Sequence, residues 1–121
     1  MSLETSFERR SLPLEYPFGI SRGTTTETEV VYVRIEDDEG TTGLGAAAPS
    51  AHYGETAATV AAVLPDLLAV VESVGDPHQL ERIEHRMRET VRKNPAARAA
   101  VSIALHDLVA KRLEVPLFRY W

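Results

Sequence analysis

The side chains that could take part in chemistry do not form a catalytic set in this sequence. A nucleophilic triad needs a serine or cysteine beside a base and an orienting acid. The chain has no cysteine, and no serine lies in a G-x-S-x-G motif. Thiolate chemistry and disulfides are therefore excluded. The two lysines, Lys93 and Lys111, lie outside apolar loops, where desolvation would lower a lysine pKa for base catalysis.

Metal ligation is not favoured by the spacing of the four histidines, which are His52, His78, His85 and His106. His78 and His85 are seven residues apart on one predicted helix, so they would lie two turns away from each other. The acidic run at 37–39 falls in a predicted turn, where such residues are common. We therefore expect no catalytic residue and no metal ligand in this chain.

Two segments rich in loop-forming residues carry the side chains best suited to binding. They are residues 16–26, which hold one arginine among apolar and hydroxyl groups, and residues 49–55. The candidate lining residues are Phe18, Ile20, Arg22, Thr24, His52 and Tyr53. An apolar pocket with one fixed arginine suits a small anion, because arginine can bind a carboxylate through two hydrogen bonds. A loop arginine is also often simply solvated, so both interpretations stay open here.

Composition limits the class of protein. A length of 121 residues suits one domain, and 44% hydrophobic with 26% charged residues is typical of a globular chain with a core. The formal charge of −5 argues against nucleic acid or an anionic membrane as a partner. Basic residues cluster only over 82–98, interleaved with glutamates, as on a solvated helix face. No apolar run approaches about 20 residues, and residues 1–10 are too polar for a signal peptide, so we expect a cytoplasmic protein.

The first half of the chain is predicted to form strands. Residues 4–13 alternate weakly, and residues 30–35 are rich in β-branched side chains. An acidic turn over 37–40 then leads into a partner strand over 41–48, which predicts a hairpin. Gly43 and Gly45 lie in that partner strand, where glycine typically allows another backbone to approach closely.

The second half is predicted to form three helices. Apolar residues recur at helical spacing from about Glu55, with a kink or a locally broken turn expected at Pro65. Asp76-Pro77 and Asn94-Pro95 have the form of an N-cap followed by a proline, so each predicts a helix start. The last helix should run to about Leu113. Strands followed by helices indicate an α+β domain, with a three-stranded antiparallel meander covered on one face by three helices.

The end of the sequence is unusually apolar. Leu117, Phe118, Tyr120 and Trp121 fall in the last five positions, whereas terminal residues are usually polar. We expect this segment to dock on another part of a protein.

Three stretches together carry a family resemblance. They are PFGISRGT at 17–24, GLGAAAPSAHYGET at 43–56 and ALHDLVAKRLEVPLF at 104–118. In this order they resemble the amino-terminal capping domain of the mandelate racemase/muconate-lactonizing branch of the enolase superfamily, over nearly the whole chain. The subgroup that looks most similar is the dipeptide epimerases, which act on L-Ala-D/L-Glu. Muconate and chloromuconate cycloisomerases and o-succinylbenzoate synthases share much of the pattern, and a standalone non-catalytic binding module is a further alternative.

The resemblance implies a division of labour. Residues 1–121 would be the capping domain, with the enolase amino-terminal fold of a meander and a helical bundle. A separate (β/α)₈ barrel, absent from this sequence, would carry the lysine bases and the Mg²⁺ ligands. The parent protein would then be a racemase, epimerase or cycloisomerase that abstracts a proton α to a carboxylate, and this chain alone would not be catalytically competent.

The resemblance also implies the partners and the role of individual residues. The partners would be a small anionic substrate (an acidic dipeptide or another carboxylate), the protein's own barrel and further copies in a homo-oligomer. Arg22 matches the position that pairs with the acidic side chain of the substrate, and the other five lining residues would complete the pocket. The chain departs from the family at Ala46, where Gly-x-Gly-Glu-Ala is common.

Overall fold

The structure is a computed structural model that describes residues 2–13, 27–48, 56–91 and 93–114. Three strands, β1 (Leu3–Pro13), β2 (Glu27–Asp37) and β3 (Thr42–Ala47), form an antiparallel sheet in the order β1-β2-β3. The predicted meander is confirmed. β2 extends beyond its β-branched centre because it pairs with β1 over its whole length.

The two faces of the sheet differ in burial. On β2, Val31, Val33 and Ile35 are fully buried, while the intervening Tyr32 and Arg34 are exposed. This alternation follows from the two-residue period of a strand. The buried face packs against helices, and the opposite face, which we call the outer face, carries the exposed residues.

The first helix, α1 (Ala57–Val74), is an amphipathic core helix. Four of its residues, Val60, Leu64, Leu67 and Val71, are fully buried. By length and composition alone, α1 is long and apolar enough to cross a membrane. In the structure, 39% of this helix is buried inside the domain. The helix continues through Pro65, so the locally broken turn that the sequence allowed there does not form. Pro65 is exposed, so the carbonyl that loses its helical N–H partner lies on the side nearer to water.

The second helix, α2 (Leu80–Thr90), begins later than predicted. Asp76 is not its N-cap, and Pro77 is not its first residue, because Asp76 instead forms a turn. Its Oδ1 accepts the N–H of His78 at 3.0 Å, and its carbonyl accepts the N–H of Gln79 at 3.2 Å. The hydrogen bond from His78 lowers the pKa of the Asp76 carboxyl. Competition by an aspartate side chain for nearby backbone N–H groups explains the delayed start.

The third helix, α3 (Pro95–Arg112), begins at the proline that the sequence indicates. Asn94 has a left-handed backbone (φ 67°) and makes no side-chain cap, so the start comes from the proline rather than from capping. Ala97, Ala100 and Ala104 are fully buried, and they let α3 lie close to its neighbours. α1 packs on β1 and β2, α3 packs on β3 and β2, and α2 packs on the other two helices. The predicted α+β architecture of three strands followed by three helices is confirmed.

Candidate functional site

The strands that flank both predicted binding segments end at the same end of the sheet. Pro13, the last residue of β1, pairs with Glu27, the first residue of β2. Ala47, the last residue of β3, pairs with Val31, four residues after the start of β2, so β3 runs towards the same end. We call the end defined by Pro13, Glu27 and Ala47 the loop end. The chain therefore leaves this end once after β1 and once after β3, which is the arrangement that a binding site made from both segments requires.

The six predicted lining residues do not fall within the described parts of the chain. They are Phe18, Ile20, Arg22, Thr24, His52 and Tyr53, and their roles stay predictions. What the structure describes is the frame on either side of them.

The second segment is followed by a well-capped helix. Thr56 is the N-cap of α1, and its Oγ1 accepts the N–H of Thr59 at 3.1 Å. In return, Thr59 Oγ1 accepts the N–H of Thr56 at 2.8 Å. This reciprocal capping box satisfies two backbone donors at the helix start. The chain after residue 55 is thereby fixed at a defined point beside the sheet.

The strand before the second segment is held by backbone contact with α3. A Cβ atom added at Gly43 would lie 2.1 Å from the carbonyl oxygen of Ala104, and one added at Gly45 would lie 2.0 Å from that of Ala100. The predicted close approach at these two glycines is confirmed. Because the helix backbone rests directly on β3, the direction in which β3 reaches the loop end is set by α3.

Two side chains of α3 bind the exposed edge of β3. Asp107 Oδ2 accepts the N–H of Leu44 at 2.9 Å, and Lys111 Nζ donates to the carbonyl of Thr42 at 2.8 Å. Lys111 and Asp107 also form an ion pair at 3.0 Å. An edge strand leaves such backbone groups unpaired unless something covers them. The Asp107–Lys111 pair covers two of them and ties β3 to α3.

The opposite end of the sheet, which contains the β2–β3 turn, is held by a buried carboxylate. Asp37 Oδ1 accepts the N–H groups of Glu39 at 2.9 Å and Thr41 at 2.8 Å, while Oδ2 pairs with the guanidinium of Arg112. The pKa of the Asp37 carboxyl lies below its ordinary value. Burial is the largest single influence and acts to raise the pKa. It is outweighed by the hydrogen bonds from Thr41, Arg112 and Glu39 together with the charge of Arg112.

Sequence reasoning treated Asp37 only as a turn residue and missed its pair with Arg112. An aspartate that opens a turn commonly accepts nearby backbone N–H groups, so that part could have been predicted. The partner Arg112 is 75 residues away, and nothing in the local sequence indicates it.

The described histidines have separate environments. His78 precedes α2 and does not share that helix with His85, which corrects the prediction. Nε2 of His78 accepts from Arg112 Nε at 3.3 Å, His85 lies 3.3 Å from Glu89, and His106 lies 3.8 Å from Glu84. Across residues 2–13, 27–48, 56–91 and 93–114, no three His, Cys, Asp or Glu residues are grouped to hold a metal ion.

The departure at Ala46 lies on the outer face of the sheet. Ala46 is exposed and pairs with Tyr32 of β2, which is 37% exposed. A glutamate at this position would therefore project from the outer face, away from the core.

Comparison with known proteins gives a consistent result. The model of the family described as "Mandelate racemase / muconate lactonizing enzyme, N-terminal domain" matches residues 3–120. The chain is 38% identical over 119 residues to an L-Ala-D/L-Glu epimerase of Bacteroides thetaiotaomicron, covering 98% of this chain and 30% of the relative. It is 36% identical over 109 residues to an o-succinylbenzoate synthase of Geobacillus stearothermophilus, covering 88% of this chain and 29% of that relative.

A solved structure supports the same fold. The dipeptide epimerase from Methylococcus capsulatus, complexed with Mg and the dipeptide L-Arg-D-Lys, matches with a TM-score of 0.84 and 36% sequence identity. The match covers 98% of this chain and 34% of that structure. The chain thus spans about a third of the length of the proteins it matches.

Proposed function

The chain belongs to the family of mandelate racemase / muconate lactonizing enzyme N-terminal domains, and on that premise we propose that residues 1–121 are the substrate-capping and specificity domain of an Mg²⁺-dependent dipeptide epimerase. In this proposal the isomerase abstracts a proton α to a carboxylate with bases that lie on a separate barrel. The capping domain closes over the barrel, excludes water and contacts the distal part of the substrate.

The observation that carries the proposal is that the strands flanking both predicted binding segments end at the loop end. A cap must present its variable segments together, on a frame that does not move when they bind. The sheet register brings Pro13, Glu27 and Ala47 to one end. The contacts of α3 with Gly43, Gly45 and the edge of β3 make the frame rigid beside the second segment.

The Mg²⁺ ion of the proposed parent enzyme is assigned to the barrel. The described residues do not fit a metal site, because none of their acidic groups or histidines gather in threes. The relative complexed with Mg and a dipeptide supports the presence of the ion in this type of protein. In this proposal the role of the chain is to bind and enclose the substrate.

Arg22 is the residue proposed to select the substrate. An arginine in an enclosed pocket favours a carboxylate side chain, because a bidentate pair supplies both charge and orientation. The relative named as an L-Ala-D/L-Glu epimerase supports an acidic dipeptide. The relative complexed with L-Arg-D-Lys supports a cationic one at similar identity. We choose the acidic dipeptide, because the charge of Arg22 in the proposed pocket would repel a cationic side chain of the substrate.

The test is the substitution Arg22→Ala in the full-length protein that carries this domain. For L-Ala-L-Glu we expect KM to rise by about tenfold or more, which corresponds to about 1.5 kcal/mol for a lost charge-assisted hydrogen bond. For a neutral dipeptide such as L-Ala-L-Leu, KM should change little. Steady-state epimerisation of both substrates provides the measurement.

The matched control is Arg34→Ala, because Arg34 is an exposed arginine on the outer face, within β2. It removes the same charge without touching the predicted pocket, so both KM values should stay near wild type. If Arg22→Ala changes acidic and neutral substrates equally, Arg22 has no part in specificity.

The o-succinylbenzoate synthase relative supports a second candidate, the capping domain of such a synthase or of a muconate or chloromuconate cycloisomerase. Turnover of an unsaturated carboxylate rather than a dipeptide by the full-length protein would favour it. A full-length protein without either activity would favour a standalone binding module.

A further inference from the structure

A small pocket lies in the groove between α2 and α3, beside the first turns of α3. Its volume is about 200 Å³, and its polar lining residues are Glu84, Arg88, Arg98 and Ser102. Pro95, the first residue of α3, forms part of its wall. A cavity of this size admits a small ion or molecule rather than a drug-sized ligand.

Two arginines of this pocket differ from the other arginines whose side chains are described. Arg9, Arg10, Arg34 and Arg112 are ion-paired, and Arg82 and Arg86 are hydrogen-bonded to Gln79 and Ser73. Within the described residues, the guanidiniums of Arg88 and Arg98 have no ion-pair or hydrogen-bond partner. The pocket therefore gathers the two arginines that lack an acceptor in an otherwise acidic chain of net charge −5.

Arg98 is the stronger indication of the two. Its Nε is buried and finds no acceptor among the described residues. A buried donor of a charged group that makes no hydrogen bond is costly, and such groups are uncommon in folded proteins. An oxyanion in the adjoining pocket would supply the missing acceptor.

The acid that could neutralise Arg88 is engaged elsewhere. Glu84 and Arg88 are four residues apart on α2, a spacing at which such pairs commonly form. Glu84 Oε1 instead accepts the hydroxyl of Ser102 at 2.7 Å and lies 3.8 Å from His106 Nε2. These contacts direct the carboxylate towards α3. The pocket is therefore lined by two cationic side chains and one carboxylate, and that carboxylate already has other partners.

The first turn of α3 adds to the positive potential. It contains no acidic residue, and Asn94 provides no side-chain cap, unlike Thr56 at the start of α1. The partial positive charge of the helix start acts in the same direction as the two arginines.

We propose that the groove between α2 and α3 binds a small oxyanion, a phosphate or carboxylate group, between Arg88 and Arg98. The residues that carry this site are not those proposed for the substrate pocket, so the proposal does not depend on the dipeptide epimerase assignment. A single oxyanion can accept from both guanidiniums, and phosphate and carboxylate share that chemistry.

The test is a titration of the ¹⁵N-labelled chain, followed by NMR, with sodium phosphate in one arm and sodium succinate in another. Sodium chloride keeps the ionic strength constant, so general screening does not vary. We expect saturable shifts of the backbone amides around Arg98 and of the Nε–H signals of both arginines. The arm with the tighter binding identifies the preferred oxyanion. Arg88→Gln and Arg98→Gln should each weaken binding by about tenfold, since each removes one charge-assisted hydrogen bond.

Lys93→Gln is the matched control, because Lys93 is exposed, lies near the start of α3 and does not line the pocket. It removes the same charge and should leave the affinity nearly unchanged. Dispersed amide spectra of all three variants establish that they fold. Shifts that do not saturate in either arm, or an equal weakening by Lys93→Gln, would overturn the proposal. So would a concentration-dependent dimer in sedimentation that Arg88→Gln dissociates while neither anion binds, because the groove would then be an interface.

Discussion

Replacing Gly45 by alanine places a methyl group where the backbone of α3 already lies. The new Cβ would be 2.0 Å from the carbonyl oxygen of Ala100 and 2.9 Å from the amide nitrogen of Ala104. Ordinary contacts of this kind begin at 3.4 Å, so the helix and the strand would have to separate by more than 1 Å. Neither neighbour can rotate away, because both atoms belong to the main chain of a helix.

The magnitude follows from what that separation disturbs. Overpacking in a well-packed core typically costs about 1–3 kcal/mol where side chains can adjust. A gap of about 1 Å also removes up to about half of the dispersion energy of the contacts that it opens. Alanine would gain about 0.5–1 kcal/mol over glycine from reduced chain entropy, which offsets part of the loss. We expect a net decrease of about 3 kcal/mol in the free energy of unfolding, out of a total of about 5–15 kcal/mol for a domain.

Urea unfolding followed by circular dichroism gives the measurement. With a slope of about 1.5 kcal/mol/M, the midpoint should fall by about 2 M. Gly40→Ala is the matched control, because Gly40 has a positive φ of 85° and no atom within 4 Å of an added Cβ. It isolates the cost of backbone conformation, about 1 kcal/mol. If Gly45→Ala lowers the midpoint no more than Gly40→Ala does, β3 and α3 are not in backbone contact.

Two further substitutions test the contacts made by α3. The pKa of Asp37 lies below its ordinary value of 3.8, so its pair with Arg112 stabilises the fold above about pH 4, and this contribution is lost as the pH falls through the lower folded-state pKa. Asp37→Asn should therefore cost about 3 kcal/mol at pH 7 and progressively less as the pH falls below 3.8, measured by urea unfolding at a series of pH values. A loss that does not vary with pH would contradict this assignment. Asp107→Ala should accelerate hydrogen exchange of the Leu44 amide by about tenfold and cost about 1 kcal/mol, whereas Asp107→Asn keeps an acceptor and should retain most of the protection.

The elements of this fold were predictable where one local signal dominated. The β-branched run at 30–35 and the apolar spacing of α1 and α3 were sufficient to place one strand and two helices. The predicted start of α2 was wrong because the carboxylate and the carbonyl of Asp76 accept hydrogen bonds within a turn. The Asp-Pro pattern does not show whether the aspartate forms such a turn or caps a helix. Gly43 and Gly45 were interpreted correctly because glycine weakens a strand interior, and a close backbone is a common reason for its presence there.

The contacts that fix the frame could not be predicted from the sequence. The pair of Asp37 with Arg112 and the bond of Lys111 to Thr42 join residues 75 and 69 positions apart. Each joins common surface residue types, so only the packed fold shows which of them meet. Arg88 and Arg98 were likewise interpreted as part of a solvated helix face. The sequence does not show that Glu84, which could pair with Arg88, instead accepts the hydroxyl of Ser102.

The separation between the loop end and the Asp37–Arg112 pair has a consequence for engineering. β3 has six residues, so these two regions lie about 20 Å apart along the sheet. Substitutions more than about 10 Å apart with no shared partners usually have additive effects on stability. Residues 14–26 or 49–55 of a relative could therefore be transplanted into this chain at little cost to the buried ion pair. Exchanging these two short segments would test whether they determine substrate preference, as the proposed capping function requires.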